Sequence, residues 1–250
     1  MREYGHAGTI GITVPQANTT VEAEFRALAP AGANIVTARL QGSRSDSRQR
    51  LLDYFQTLEA TLDTFDNAPL NAAGFACTGS SYLLGVEEDR RAFALLSRKR
   101  GYPVVPATEA ILESLAHLGA RRVALVSPYP EWLTGAALEY WRGAGIDVIE
   151  VARVTSESVD VSDTRNVYDI ASADAVAAAR RLRHRDMDAL LISGTGMPTL
   201  RAVEPLMREF GKPVLSSNLC LAWVLARRIK LEPAPPWEAR AAWEAMLDRL

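Results

Sequence analysis

Cysteine and histidine are scarce in this chain, two of the first and three of the second in 250 residues. Cys77 and Cys220 cannot build a disulfide framework, and no Cys-x-x-Cys or Cys/His cluster supplies the ligand set of a zinc site, so no metal centre is expected. His6, His117 and His184 are scattered through a tail and helical segments and form no catalytic set. An excess of one charge is also missing. The formal net charge is −2, which attracts neither nucleic acid nor an anionic membrane. The basic runs SRKR (97–100) and ARRLRHR (179–185) lie on helical segments without interleaved aromatics, as solvated faces do. No run approaches the roughly 20 apolar residues that span a bilayer, and the opening MREYGHAGTIGITVP lacks the apolar stretch of a secretion signal. GTGMPT lacks the Lys-Ser/Thr of a phosphate loop and the spacing of a dinucleotide fingerprint, and there is no Gly-x-Ser-x-Gly elbow. The chain reads as cytoplasmic and soluble.

What is present is alternation. Short β-branched or apolar runs occur at 9–14, 34–40, 72–77, 103–105, 122–127, 147–154, 189–193 and 213–217. Segments with helical periodicity separate most of them, at 48–65, 87–100, 108–118, 132–144, 173–184 and 199–210. Gly101, Gly119, Gly145 and Gly211 each stand between a helix and the next strand, where a left-handed residue ends a helix. This order predicts an α/β fold with parallel sheets flanked by helices. It also repeats. GTIGITVPQANTT resembles RRVALVSPYPEWLT, and NAAGFACTGSS resembles DALLISGTGMPT. Two similar α/β domains related by a pseudo-twofold are therefore expected, over 1–118 and 119–218. The C-terminal segment, about 219–250, is expected to be helical and to pack back onto the first domain through Trp237, Trp243 and Met246.

Ligands of open parallel sheets collect beyond the carboxyl ends of the strands. The loops there hold Asn18-Thr19-Thr20, Cys77-Thr78-Gly79-Ser80, Tyr129 and Gly194-Thr195-Gly196. If the two domains face each other, these loops converge on one cleft. Small and hydroxylated residues opening a helix present free amides that suit a carboxylate, and they are expected to lower the pKa of a thiol placed there. Plainer readings exist for each residue: Cys77 as a buried small hydrophobe, Asn18 as a helix cap, Tyr129 as a brace for its turn, Asn166 as a structural amide. Cys220, inside LCLAWVLA, reads as core.

IGITVPQANTTVEAE (10–24), GFACTGSS (74–81), VALVSPY (123–129) and DALLISGTGMPTLRAVEPLMREFGKPVLSS (188–217) together resemble the maleate cis–trans isomerases. The resemblance covers about residues 8–225 and extends to arylmalonate decarboxylases and the wider aspartate/glutamate racemase superfamily. It implies an enzyme without metal or organic cofactor, assembled as a dimer or tetramer, acting on a small dicarboxylate. Carried over position by position, it makes Cys77 the nucleophile and Tyr129 a substrate-orienting hydroxyl. It makes Asn18 and Asn166 carboxylate binders, with hydroxyls and amides from Thr78, Gly79, Ser80, Thr195 and Gly196 beside them. Tyr82, Leu83, Met197 and Pro198 are candidates for the pocket wall. One position departs from the family: Gly194 stands where the resemblance places a second cysteine. A two-thiol racemase is thereby excluded. The decarboxylases have a single cysteine at that second position and glycine at the first, the mirror of the arrangement here. Two reactions fit one thiol. Cys77 adds reversibly to a cis-enedioate, giving cis–trans isomerisation, or Cys77 protonates the enediolate left by decarboxylation of a substituted malonate, with the opposite hand expected in the product. A non-catalytic small-anion binder is the remaining alternative.

Overall fold

The computed structural model describes residues 3–156, 159–183, 186–238 and 243–250, and His184 lies outside them. Among the described residues the first half carries β1 (Gly8–Pro15), α1 (Thr20–Leu28), β2 (Ala33–Leu40), α2 (Ser47–Gln56), α3 (Leu58–Asp63), β3 (Leu70–Phe75), α4 (Thr78–Leu84), α5 (Val86–Arg100), β4 (Val104–Pro106) and α6 (Ala107–Leu118). The second half carries β5 (Arg122–Ser127), α7 (Glu131–Gly143), β6 (Asp147–Arg153), a 3₁₀ turn at Asn166–Asp169, α8 (Ser172–Arg180), β7 (Ala189–Ile192), α9 (Leu200–Phe210) and β8 (Val214–Ser216). α10 (Ser217–Arg228) and α11 (Trp243–Leu247) follow.

The strands form two four-stranded sheets, ordered β2-β1-β3-β4 and β6-β5-β7-β8, with every pairing parallel. The second order is the first with each strand four later, so the repeat in the sequence is a repeat of topology. Strands covered on both faces read as unbroken apolar runs. β7 is such a run, ALLI, with all four residues buried. The covering helices bury a stripe: in α9, Leu200, Ala202, Val203, Leu206 and Met207 face inward at helical spacing. The four predicted glycines all take positive φ, between 64° and 79°, where other residues are strained.

From the two central strands of each sheet the chain crosses in opposite directions. β1 leads toward the β2 edge and β3 toward the β4 edge, so a crevice opens between the loops that leave them, and β5 and β7 repeat the arrangement. Those four loops hold nearly all the residues singled out from the sequence.

Two elements differ from expectation. The helical stretch 48–65 breaks at Thr57, whose hydroxyl turns to Gln41 O (3.0 Å) and Asp53 O (2.9 Å). The C-terminal segment is two helices rather than one, because Pro233, Pro235 and Pro236 lie between them and lack the backbone N–H a helix needs. α10 is buried along nearly its whole length and packs on α1, α6, β3 and β4 as well as on β8. α11 rests against α1 and α9, with Trp237, Trp243 and Met246 buried. No helix among the described residues is long and apolar enough to cross a membrane.

Polar bonds stitch the two sheets' loops together. Glu24 of α1 is 3% exposed. It accepts from the amides of Thr199 (2.6 Å) and Leu200 (3.1 Å) at the start of α9, from the Thr199 hydroxyl (3.1 Å), and from Asn218 Nδ2 (2.7 Å) of α10. Burial pushes its carboxyl up while these donors pull it down. A carboxylate at a helix N-terminus meets the positive end of the dipole as well as free amides. Removing it strands four donors, each of which costs about 1–3 kcal/mol if left buried without an acceptor. Partial repair by water makes the sum smaller. Glu24→Ala is expected to lower the unfolding free energy by about 2–4 kcal/mol in urea titrations, with Glu24→Asp falling between it and the parent.

Candidate active site

A cavity of about 20 Å³ lies where the four loops meet. It is lined by Pro15 and Asn18 from the end of β1, Arg50, Leu51 and Tyr54 from α2, Cys77 after β3, and Tyr129 after β5. Thr164, Val167, Tyr168, Thr195 and Gly196 from the second half complete the wall. That space holds a water molecule and little more. A substrate therefore has to part the side chains that fill it.

Cys77 is the residue before α4, in an extended conformation (φ −148°, ψ 96°), and is 4% exposed. Its Sγ lies 3.2 Å from Ser80 Oγ. The Ser80 hydroxyl has one proton, and that proton is donated to Leu51 O at 2.6 Å. The thiol is then the donor to Ser80 Oγ, which requires a neutral thiol. Burial pushes the Cys77 pKa upward, against the opposing pull of the Ser80 hydroxyl and the amides of Ser80 and Gly79. The expected lowering at a helix start is thus corrected. The donors are in place, but desolvation in the closed cavity outweighs them. Cys220 is buried in α10 with its thiol pushed up to about 12, the core role its apolar setting predicts.

Asn18 is engaged on both sides. Oδ1 accepts from the amides of Thr20 (2.9 Å) and Val21 (3.2 Å), capping α1, while Nδ2 donates to Thr195 O (3.2 Å) across to the second half. Among the described residues the second Nδ2 proton has no partner, and Asn18 lines the cavity. Thr195 donates its hydroxyl to Ala76 O (2.7 Å), and Gly196 O accepts from the Thr20 hydroxyl (2.5 Å). Gly196 has no room for a side chain: a Cβ there would stand 2.5 Å from Tyr168 Cε1. Tyr129 OH is 2.8 Å from Thr78 Oγ1, and Thr78 lies behind the cavity with Gly79, Ser80 and Gly194. Burial keeps the hydroxyls of Tyr54, Tyr129 and Tyr168 protonated, so they serve as donors.

Asn166 is not brought into the cavity. It opens the 3₁₀ turn and donates to Asp160 O (2.6 Å), so Thr164, Val167 and Tyr168 of the same loop form the wall instead. Tyr82, Leu83, Met197 and Pro198 are also outside the lining, and the Tyr82 hydroxyl is paired with Ser193 Oγ at 2.7 Å. The sequence reading passed over Arg50, Tyr54 and Thr164. A signal for Arg50 was present: in SRQRLLDYFQ it shares the inward face of α2 with Leu51 and Tyr54, an odd place for a cation. Among the described residues no group of three or more His, Cys, Asp or Glu side chains is placed to hold a metal ion.

The resting thiol gives a direct test. Alkylation of Cys77 by iodoacetamide should climb with pH beyond the range of an ordinary cysteine. Ser80→Ala should shift that profile further upward and slow the reaction at pH 8 by about 3–10-fold, because a neutral hydrogen bond to the thiolate is lost. Cys220 should remain unmodified until the chain unfolds.

Comparison with known proteins follows the same lines as the geometry. The family model described as arylmalonate decarboxylase matches residues 10–241. A maleate isomerase of Nocardia farcinica is 30% identical over 241 residues, covering 92% of this chain and 94% of its own. The arylmalonate decarboxylase of Bordetella bronchiseptica is 26% identical over 233 residues, covering 88% and 89%. Among solved structures, a cysteine-to-serine variant of the N. farcinica maleate cis-trans isomerase, carrying a covalently bound succinylcysteine intermediate, superposes with a TM-score of 0.80 at 30% identity over 92% of this chain and 96% of that one. A structure of arylmalonate decarboxylase at 20% identity shares the fold, with a TM-score of 0.75 over 92% and 96%. The chain is therefore an enzyme of the maleate isomerase and arylmalonate decarboxylase group within the aspartate/glutamate racemase superfamily. By a family match that runs nearly its whole length, it belongs to the arylmalonate decarboxylase family.

Proposed function

We propose that this enzyme isomerises a small cis-enedioate, maleate or a close analogue, to its trans form by reversible addition of Cys77. The observation that carries this reading is the lining of the cavity. A single nucleophile, Cys77, faces donors only (Asn18, Arg50, Tyr54, Tyr129, Thr164, Tyr168), with no Asp, Glu, His or Lys among the described residues of the wall. Such a site holds an anion and attacks it, but it has no carboxylate or imidazole to abstract a proton.

The thiol gives its proton to a carboxylate of the entering substrate, which returns it when the product leaves, and Ser80 turns its hydroxyl from Leu51 O to the sulfur so that the thiolate is held by that hydroxyl and two amides. A C–S bond forms at one olefinic carbon while the π pair moves onto the other carbon and into its carboxylate as an enediolate. Protonated tyrosine hydroxyls and the free Asn18 proton meet that charge. Rotation about the new single bond, return of the pair and loss of the thiolate give the trans product with no net proton transfer. The succinylcysteine in the N. farcinica variant supports the same covalent step. Gly194 agrees with one-thiol chemistry: its φ is +97°, and a Cβ there would lie 2.9 Å from Pro128 Cγ and 3.3 Å from Tyr129 OH. Tyr129 fills the space that a second thiol would need.

A second reading has one observation behind it. The neutral resting thiol is the form a proton donor requires, as in decarboxylation of a substituted malonate with Cys77 as general acid.

Proton NMR in D₂O with maleate, alkylmalonates and arylmalonates separates the two. Fumarate without carbon-bound deuterium is the expected product, whereas a monoacid carrying one deuterium would replace isomerisation by decarboxylation. Cys77→Ala should cut turnover by about a thousandfold or more with the fold retained, and an unchanged rate would remove Cys77 from the mechanism. Gly194→Cys should cost about 1–3 kcal/mol of stability, read by thermal melting, and should not increase turnover.

A further inference from the structure

We propose that Arg50 anchors one carboxylate of the substrate, so that the site selects dianions over half-amides and monoacids. This rests on the dicarboxylate reading above and assigns its second anion subsite, which Asn166 does not supply.

A guanidinium taken out of water needs an anion and acceptors for its five N–H groups. Arg50 is 2% exposed. Its carboxylate partner is Asp163 of the second half, with Nη2 2.9 Å from Oδ1. That carboxylate is shared: Arg165 Nε donates to Asp163 Oδ2 at 3.0 Å. Two guanidiniums thus stand on one carboxylate, leaving a local surplus of one positive charge at a cavity wall. The hydrogen-bond accounting agrees. Nη2 serves Ser47 Oγ (2.8 Å), Asp163 Oδ1 and Thr164 Oγ1 (3.1 Å), and Nη1 makes one long contact to Ser43 O (3.4 Å). Among the described residues no acceptor is paired with Nε, and one Nη1 proton has no partner. The open Nε and Nη1 protons lie on different edges of the guanidinium, so Arg50 offers a carboxylate a single charged N–H from a desolvated wall. The Thr164 hydroxyl, accepting from Arg50, keeps its own proton free for the same ligand. The first subsite is Asn18, and Asn18, Arg50 and Cys77 line the same cavity, so one short diacid has a donor for each carboxylate beside the thiol.

Isothermal titration of the full-length Cys77→Ser protein with maleate and its half-amide, maleamate, tests this. Maleate should bind about 10- to 100-fold tighter than maleamate. Adding Arg50→Gln should bring maleate down to the maleamate level and change maleamate little. Should Arg50→Gln fail to fold by circular dichroism, Asp163→Asn decides. It keeps the Oδ1 acceptor, removes the competing charge, and should tighten maleate several-fold, whereas Arg50 as a mere tie between the two halves predicts weaker binding. Folded Arg50→Gln with undiminished maleate affinity, or Asp163→Asn with weakened affinity, overturns the assignment. Absence of binding by maleate and by malonates alike overturns the dicarboxylate reading itself, and this proposal with it.

Discussion

A carboxylate withdrawn from water has to be met by donors, and Glu24 is met by four that belong to the other half of the chain. This bond set decides where the loop after β7 runs. With α9 held at its first amides, the Gly194–Thr199 segment lies against the ends of β1 and β3, where Asn18, Thr20 and the Ala76 carbonyl take up its remaining polar groups. The cavity is what is left between segments so fastened. Cys77 comes from one sheet and Tyr129 from the other, and they share one space because the Glu24 cluster and the Arg50–Asp163 pair fix the distance between the halves. Those fastenings also leave the closed form very little free volume, so substrate entry has to move side chains or the halves themselves.

The proposed chemistry rests on the single thiol. Enzymes that exchange a proton between two faces need a donor on each, and here Gly194, with positive φ, has Pro128 and the Tyr129 hydroxyl where a side chain would begin. A tyrosine held protonated by burial gives a hydrogen bond to developing negative charge without giving up its proton. Addition and elimination at one carbon ask for nothing more. The neutral resting state of Cys77 has a cause in the same closure that makes the site specific: the cavity that excludes water also penalises the thiolate, and Ser80 is the switchable donor that offsets part of that penalty.

Much of this was legible in the sequence because it is written in local patterns. Strand and helix periods, glycines after helices and the internal repeat give two parallel sheets of the same order. The brevity of the loops after the strands places Asn18, Cys77, Tyr129 and Thr195 at carboxyl ends. What was not legible depends on contacts between distant segments. Asn166 and Thr164 lie two residues apart on an irregular loop, and only the turn at Asn166–Asp169 decides that the amide points to Asp160 while the hydroxyl reaches the cavity. Arg50 looks like a surface cation until its partner, more than a hundred residues away, is known. The pKa of Cys77 was read from the helix start alone, and the burial that outweighs it comes from segments distant in sequence, in both halves.

The central claim is that turnover passes through a covalent bond at Cys77, and mass spectrometry of enzyme quenched during reaction with maleate tests it most directly. The account predicts one substrate equivalent attached to the peptide containing Cys77 and none on Cys220. Steady turnover of maleate with Cys77 unmodified throughout would contradict it.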